Sequence, residues 1–200
     1  MSKPLRALDR APHVEPNDRE AWRAWLERNH ATATRVWLVW RRSTARRGLD
    51  YNAAIEEALS FGWVDGQAAA FDEQRSKLYF APRRARSPWS KLNKERFHRM
   101  LLAGRVAPAG IAAVERARSD GSWSILDSVE RLEVPADLAA AFDARPPALH
   151  HWEAFPPSAR RALLAWIALA RRDETRARRI EETAAAAQLD ERALERRRGR

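Results

Sequence analysis

One segment in the middle of the chain combines side chains that can bind an anion. Arg83 and Arg84 precede Ser87-Pro88, and a serine followed by proline is typical of a helix cap and first helical residue. The first amides of a helix are unpaired donors with partial positive charge, so serine hydroxyls and guanidinium groups beside them can cradle a phosphate or carboxylate. The alternative reading is that the serines only cap the helix and the arginines form a solvated face. The ligand site predicted on this basis consists of Arg83, Arg84, Ser87, Trp89, Ser90, Asn93 and Arg96.

The charge of this segment separates it from the rest of the chain. Residues 75–105 contain ten basic residues and one acid, Glu95, a balance of +9, whereas the whole chain carries +10. This concentration favours an anionic small molecule, an acidic protein surface or a nucleic acid as partner. Trp89 and Tyr79 beside the basic residues offer stacking platforms of the kind that bind single strands, although both rings also suit a hydrophobic core.

Two acidic positions are candidates for a general acid or base. Asp65 lies two residues after Trp63 and directly before Gly66. Its carboxylate can orient an arginine or accept a proton. The same Asp-Gly pair is equally typical of a turn between strands. Glu57, with Glu56 beside it, can supply a second carboxylate, or both can face solvent or pair with arginines on a predicted helix.

A third candidate site lies near the C-terminus, at Thr175, Arg176 and Arg179. The two arginines are three residues apart, so they share one helical face and can clasp an anion. The acids on the same helix can instead pair with them and leave an ordinary exposed surface.

Composition and motifs exclude several classes of site. The chain has no cysteine, and its five histidines lack metal-ligand spacing, so we expect no disulfide, no metal site and no cofactor. No phosphate-loop, dinucleotide or nucleophile-elbow motif occurs. The N-terminus lacks the apolar region of a secretory signal and no apolar run approaches ~20 residues, which predicts a cytoplasmic protein without a membrane span.

The elements that must position these residues follow from periodicity and capping signals. Asn17 and Glu20 resemble a capping box that opens a first helix, and residues 35–40 have the composition of a buried strand. Helical spacing continues from Asn52 until Gly62 ends the helix. The remaining predicted elements are a turn at 46–48, paired strands at 63–64 and 77–81, helices at 87–104 and 108–119, and helices beyond residue 135.

These elements predict an α+β fold, with a small antiparallel sheet and helices in the N-terminal part and an all-helical C-terminal region. The proposed division is a flexible N-terminus at 1–15, an α+β domain at 16–145, a helical region at 146–190 and a basic tail at 191–200.

Several motifs in fixed order resemble the YdeI/OmpD-associated (bacteriocin-protection) family. They are YNAAIEEALSFGWVDG at 51–66, FAPRR at 80–84, SPWS at 87–90, Asn93, 104–110, DGSW at 120–123, FPPS at 155–158, WI at 166–167 and ETRARRI at 174–180. The resemblance extends over about residues 20–188. It implies a link to protection from bacteriocins or cationic peptides, and the family supplies no catalytic residues to carry over.

We therefore expect a non-enzymatic protein that binds an anion or an acidic partner through residues 75–105 and contributes to stress protection. An enzyme for a small phosphorylated or carboxylated substrate, with Asp65 or Glu57 as its acid or base, is one alternative. A nucleic-acid-binding protein is the other, and its affinity should fall steeply with salt.

Overall fold

The computed structural model describes residues 11–41 and 49–198 of the 200-residue chain. The turn predicted at 46–48 lies outside these residues, as do residues 1–10 of the predicted lead-in and the last two residues of the predicted tail. The chain forms two compact units, which divide between Gly121 and Ser122. The α+β class with a helical C-terminal region is confirmed.

The first unit is built around a sheet of four described strands, β1 (His13–Val14), β2 (Val36–Arg41), β3 (Trp63–Ala70) and β4 (Arg75–Pro82). Their order across the sheet is β1-β2-β4-β3. β4 pairs antiparallel with both β2 and β3, which confirms the predicted hairpin, while β1 pairs parallel with β2 and makes the sheet mixed. β1 lies within residues 1–15, which were predicted to be a flexible lead-in. The sequence did not indicate this strand because two residues are too few to show a periodic pattern.

Four helices accompany this sheet, α1 (Arg19–Asn29), α2 (Tyr51–Ser60), α3 (Lys91–Leu102) and α4 (Pro108–Ser119). The cap of α1 is Asp18 and not the predicted Asn17, because the Asp18 carboxylate accepts a hydrogen bond from the Ala21 amide at 2.8 Å. α2 ends as predicted, with Gly62 just beyond it at a φ of +74° that disfavours residues with a Cβ.

The start of α3 differs from the prediction. Ser90 caps this helix by accepting from the Asn93 amide, so the helix begins at Lys91 and the expected start at Ser87-Pro88 is wrong. Arg86 adopts a left-handed φ of 58°, which breaks any helix through this stretch. The Ser87 hydroxyl receives a hydrogen bond from Arg83 instead of from a helix amide.

The core of the first unit is aromatic. At most 1% of each side chain is exposed for Trp22 of α1, Phe80 of β4 and Trp63 of β3. The ring centroids of Trp22 and Phe80 are 5.5 Å apart. Trp89 is also fully buried and meets Phe97 of α3 edge-on at 5.7 Å. Each such ring removes about 150–250 Å² from water, so these side chains hold the helices onto the sheet.

The second unit is helical throughout its described part. Its helices are α5 (Asp127–Glu130), α6 (Ala136–Asp143), α7 (Ala148–Ala154), α8 (Pro157–Ala168), α9 (Asp173–Gln188) and α10 (Ala193–Arg198). They enclose a separate core that includes Leu138, Phe142, Trp152 and Leu163. The predicted division between residues 145 and 146 falls inside this unit, between α6 and α7.

Candidate anion-binding pocket

Arg83 is a buried cation at the centre of the predicted site. It follows the last residue of β4, and only 8% of it is exposed. Its Nη1 donates to the Ser87 hydroxyl at 3.2 Å and to the carbonyl oxygen of Pro88 at 2.9 Å. The guanidinium carbon lies 4.1 Å from the centroid of the Trp89 ring. These contacts fix the plane of the guanidinium, and the segment 83–89 wraps around it.

The other two nitrogens of Arg83 are incompletely bonded. Nε and Nη2 are buried and have no hydrogen-bond partner among the described residues. Both nitrogens lie on the same edge of the planar guanidinium, so their N–H bonds are parallel. A buried charged donor without an acceptor is costly, which makes this edge the outstanding feature of the site.

Burial and a neighbouring carboxylate shift the pKa of Arg83 in opposite directions. Burial lowers the pKa of Arg83 to about 10, and the negative charge of Asp65 opposes that shift. Asp65 lies on β3 opposite Phe80 of β4, where the register between these strands becomes irregular. Since a pKa of about 10 is well above neutrality, Arg83 remains a cation in neutral solution.

A pocket of about 250 Å³ lies against Arg83 in the first unit. Among the described residues that line it, the ones with titratable side chains are His30, Arg83 and Arg116, and all three are basic. The rest of the wall is formed by Ala31, Phe61, Gly62, Trp63, Pro82 and Ala109. The pocket thus combines cationic groups with a mainly apolar surface, as small-molecule sites commonly do.

His30 and Arg116 were not among the predicted site residues. His30 follows α1, and its Nδ1 lies 2.9 Å from the carbonyl oxygen of Leu26, which leaves Nε2 as the ring nitrogen for a ligand. Arg116 is an exposed residue of α4. Both lie more than 30 positions from Arg83 along the chain, and no local motif marks either one.

The seven predicted ligand residues divide into two groups. In the first group, Arg83 contacts both Ser87 and Trp89, while Arg84 is exposed to solvent. The remaining three, Ser90, Asn93 and Arg96, belong to the first turns of α3 or its cap.

The α3 group forms hydrogen bonds within itself and to α2. Arg96 is 6% exposed and donates to the side-chain oxygens of Asn93 at 3.2 Å and Asn52 at 2.6 Å. The backbone amide of Asn93 already donates to the Ser90 hydroxyl. The structure therefore does not bring the seven residues together around free amides at one helix start.

Glu57 is enclosed by arginines. It is fully buried, with Arg19 at 2.6 Å, Arg23 at 2.9 Å and Arg105 at 2.9 Å from its carboxylate oxygens. Glu56 on the same helix pairs with Arg19 and with Arg99. Both carboxylate oxygens of Glu57 are therefore already engaged by arginines of the same unit.

The secondary candidates occupy separate places. Trp63 lines the pocket, while Tyr79 packs edge-on against Trp37 at 5.4 Å and closely approaches Gly66, about 3.1 Å from where a side chain would begin.

In the second unit, Arg176 and Arg179 have different partners. Arg176 binds Asp137 at 2.7 Å, whereas Arg179 lies over the Trp166 ring and donates to the carbonyl oxygen of that residue. Thr175, one position before Arg176, is half-buried. The two arginines therefore do not converge on a common point.

The described residues contain no cluster of three or more histidine, aspartate or glutamate side chains suited to a metal ion. No helix within the described ranges is both long and apolar enough to cross a membrane.

The two units match different family models. Residues 14–113, half of the chain, match the model described as Domain of unknown function (DUF8412), and the chain belongs to that family. Residues 131–188 match the model described as Bacteriocin-protection, YdeI or OmpD-Associated, which confirms the predicted resemblance for this part of the chain; the motifs quoted between residues 51 and 123 lie outside this match. Each match lies within one compact unit. No curated protein and no solved structure matches the chain.

Proposed function

We propose that this protein binds a small anion in the pocket beside Arg83 and does not transform it. The observation that carries the proposal is that Arg83 borders a pocket and that two of its buried nitrogens lack acceptors among the described residues. An oxyanion supplies two acceptor oxygens and a compensating charge together, which removes the penalty of the unpartnered donors.

A second cation strengthens this reading. Arg116 brings another guanidinium to the same pocket from α4. Because Arg83 is buried, its attraction for an anion is screened less than that of the exposed Arg116.

The lining favours binding over acid–base catalysis. Glu57 is occupied by three arginines, and Asp65 is not among the lining residues. His30 is the one lining group suited to accept a proton, and it supports catalysis on the bound anion as the second candidate function. Incubating the protein with each anion and recording the NMR spectrum of the anion separates the two, since only catalysis yields new signals.

The proposal also bears on the protection that the second family's description mentions. A cationic pocket repels a cationic peptide, so we expect this pocket to act through an anionic ligand and not by binding such a peptide. We propose anion capture as the molecular act, with resistance as its cellular outcome.

The test is calorimetric titration of the protein with benzoate, acetate and inorganic phosphate at low ionic strength. Arg83→Met keeps the apolar stem and removes the charged edge. We expect it to lower affinity about 10- to 100-fold, as befits the loss of charge-assisted hydrogen bonds worth about 1.5–3 kcal/mol.

Two further variants complete the experiment. Arg116→Ala should weaken binding more modestly, because that side chain is exposed. Arg84→Ala is the matched control, since Arg84 is adjacent and solvated and should leave affinity unchanged. Equal binding by the Arg83→Met variant, or no binding of any of the three anions by the parent protein, contradicts the proposal.

A further inference from the structure

We infer that the anion bound beside Arg83 is a small aromatic carboxylate, an inference that rests on the proposed function. It joins three features of the pocket: the geometry of the free guanidinium edge, the net charge around it and the chemistry of the apolar wall.

The free edge of Arg83 matches a carboxylate. Nη1 is engaged by Ser87 and Pro88, and one face of the guanidinium is covered by Trp89. The remaining donors, Nε and Nη2, present two parallel N–H bonds. The two coplanar oxygens of a carboxylate accept such a pair in the bidentate arrangement that arginine favours. Because both nitrogens are buried, a carboxylate reaches them only when the side chains that cover this edge of the guanidinium move aside.

The charge around the pocket favours a monoanion. Arg83 and Arg116 supply two formal positive charges, and Asp65 supplies one negative charge that acts on Arg83. The balance of +1 is neutralised by one carboxylate. A phosphate group, with about −1.5 to −2 charge at neutral pH, leaves an excess of negative charge and suffers stronger repulsion from Asp65.

The apolar wall selects the body of the ligand. Phe61 and Trp63 are among the residues that line the pocket, together with His30 and Pro82. Flat aromatic groups pack well against such rings and gain about 0.5–1.5 kcal/mol beyond simple burial. The volume of about 250 Å³ is below the ~300–1,000 Å³ of drug-sized sites, so one ring with its carboxylate suits it.

The experiment measures the affinities of benzoate, benzamide, acetate and inorganic phosphate for the full chain by calorimetry. We expect benzoate to bind at least ~10-fold more tightly than each of the others, since benzamide lacks the charge, acetate lacks the ring and phosphate carries excess charge. The NMR signal of the Arg83 Nε–H group, assigned by its absence in the Arg83→Met variant, should shift on addition of benzoate.

Asp65→Asn tests the charge argument with a nearly isosteric change. It raises the formal balance at the site to +2, so the ratio of phosphate affinity to benzoate affinity should increase several-fold. His98→Gln, an exposed change on α3 outside the pocket, is the control and should leave the ratio unchanged.

The outcomes separate this inference from the proposed function. Acetate or phosphate binding as tightly as benzoate, with loss in the Arg83→Met variant, overturns the aromatic carboxylate and leaves anion binding intact. An unchanged ratio in the Asp65→Asn variant overturns the charge argument. Failure of all the anions to bind overturns both proposals.

Discussion

Glu57 and Arg83 are both buried charged residues of the first unit, and they differ in how completely the fold satisfies their polar atoms. Glu57 is completely buried but is contacted by three arginines, so its charge is compensated inside the fold. Arg83 has two buried nitrogens without acceptors in the described part of the chain. A satisfied buried charge belongs to the scaffold, whereas an incompletely satisfied one beside a pocket indicates a ligand.

The role of Glu57 leads to a stability prediction. Glu57→Gln removes the carboxylate and leaves the charges of Arg19, Arg23 and Arg105 without their shared partner. Breaking one side of a buried ion pair typically costs about 3–5 kcal/mol, and we expect a loss of that order in the free energy of unfolding measured with urea.

Glu20→Gln is the matched control for this prediction. Glu20 also binds Arg105, at 2.8 Å, but its side chain is 67% exposed. A solvated pair contributes only about 0–1 kcal/mol, so this variant should unfold almost like the parent. Equal losses in the two variants would show that burial of Glu57 is not the source of its effect.

Among the elements, the contact between the end of α2 and the start of α4 positions one wall of the pocket. The Ala107 amide donates to the carbonyl oxygen of Ser60 at 3.0 Å, and Gly110 packs over the same carbonyl. A Cβ on Gly110 would lie 2.3 Å from that oxygen. Because α4 carries Ala109 and Arg116 of the lining, this close approach helps to set the shape of the pocket.

We therefore expect Gly110→Ala to destabilise the protein by about 3 kcal/mol, at the upper end for overpacking, because the obstructing atom belongs to the backbone. Alanine favours a helix over glycine by only about 1 kcal/mol, so the steric term exceeds the gain in propensity. Thermal unfolding followed by circular dichroism provides the measurement.

Gly104→Ala serves as the comparison. Among the described residues, and apart from Gly104 and its two chain neighbours, no atom lies within 4 Å of a Cβ at that position, so the left-handed φ of +65° is what opposes the change. That strain amounts to about 1–2 kcal/mol. If Gly110→Ala is no more destabilising than Gly104→Ala, the approach of α4 to α2 is less rigid than the structure indicates.

In the whole molecule, the charge of the basic segment is distributed among separate partners. Arg75 pairs with Asp72 and Glu15, and Arg99 pairs with Glu56. The +9 balance counted along residues 75–105 is thus reduced by acids from elsewhere in the chain. This compensation favours a localised anion site over a continuous basic surface for nucleic acid.

The second unit has a core of its own and leads to a prediction about independent folding. Leu138, Trp152, Leu163 and Ile167 are each at most 2% exposed and belong to one cluster within this unit. We expect a fragment of residues 122–200 to show a helical circular dichroism spectrum and a cooperative thermal transition, as a domain with its own core does. A spectrum that changes gradually with temperature would mean that this unit requires the rest of the chain.

Much of the fold was predictable because its signals are local. The buried strand at 35–40, the end of α2 at Gly62 and the hairpin of β3 and β4 each follow from residue periodicity or from the conformational preference of one residue. The family resemblance of residues 131–188 was likewise predictable, from the short motifs between residues 155 and 180. These features depend on neighbours in the chain, so they survive without knowledge of the packing.

The site itself depended on packing. The sequence alone singled out Arg83, Trp89 and Asp65, but it placed the arginine at a helix start that lies at Ser90 instead of Ser87. Only the tertiary structure showed that Arg83 is buried against Trp89 and that Glu57 is paired in an ion cluster. It also brought His30 and Arg116 to the pocket that Arg83 lines. Burial and pairing arise between segments remote in the chain, and a local pattern contains no information about which remote segments meet.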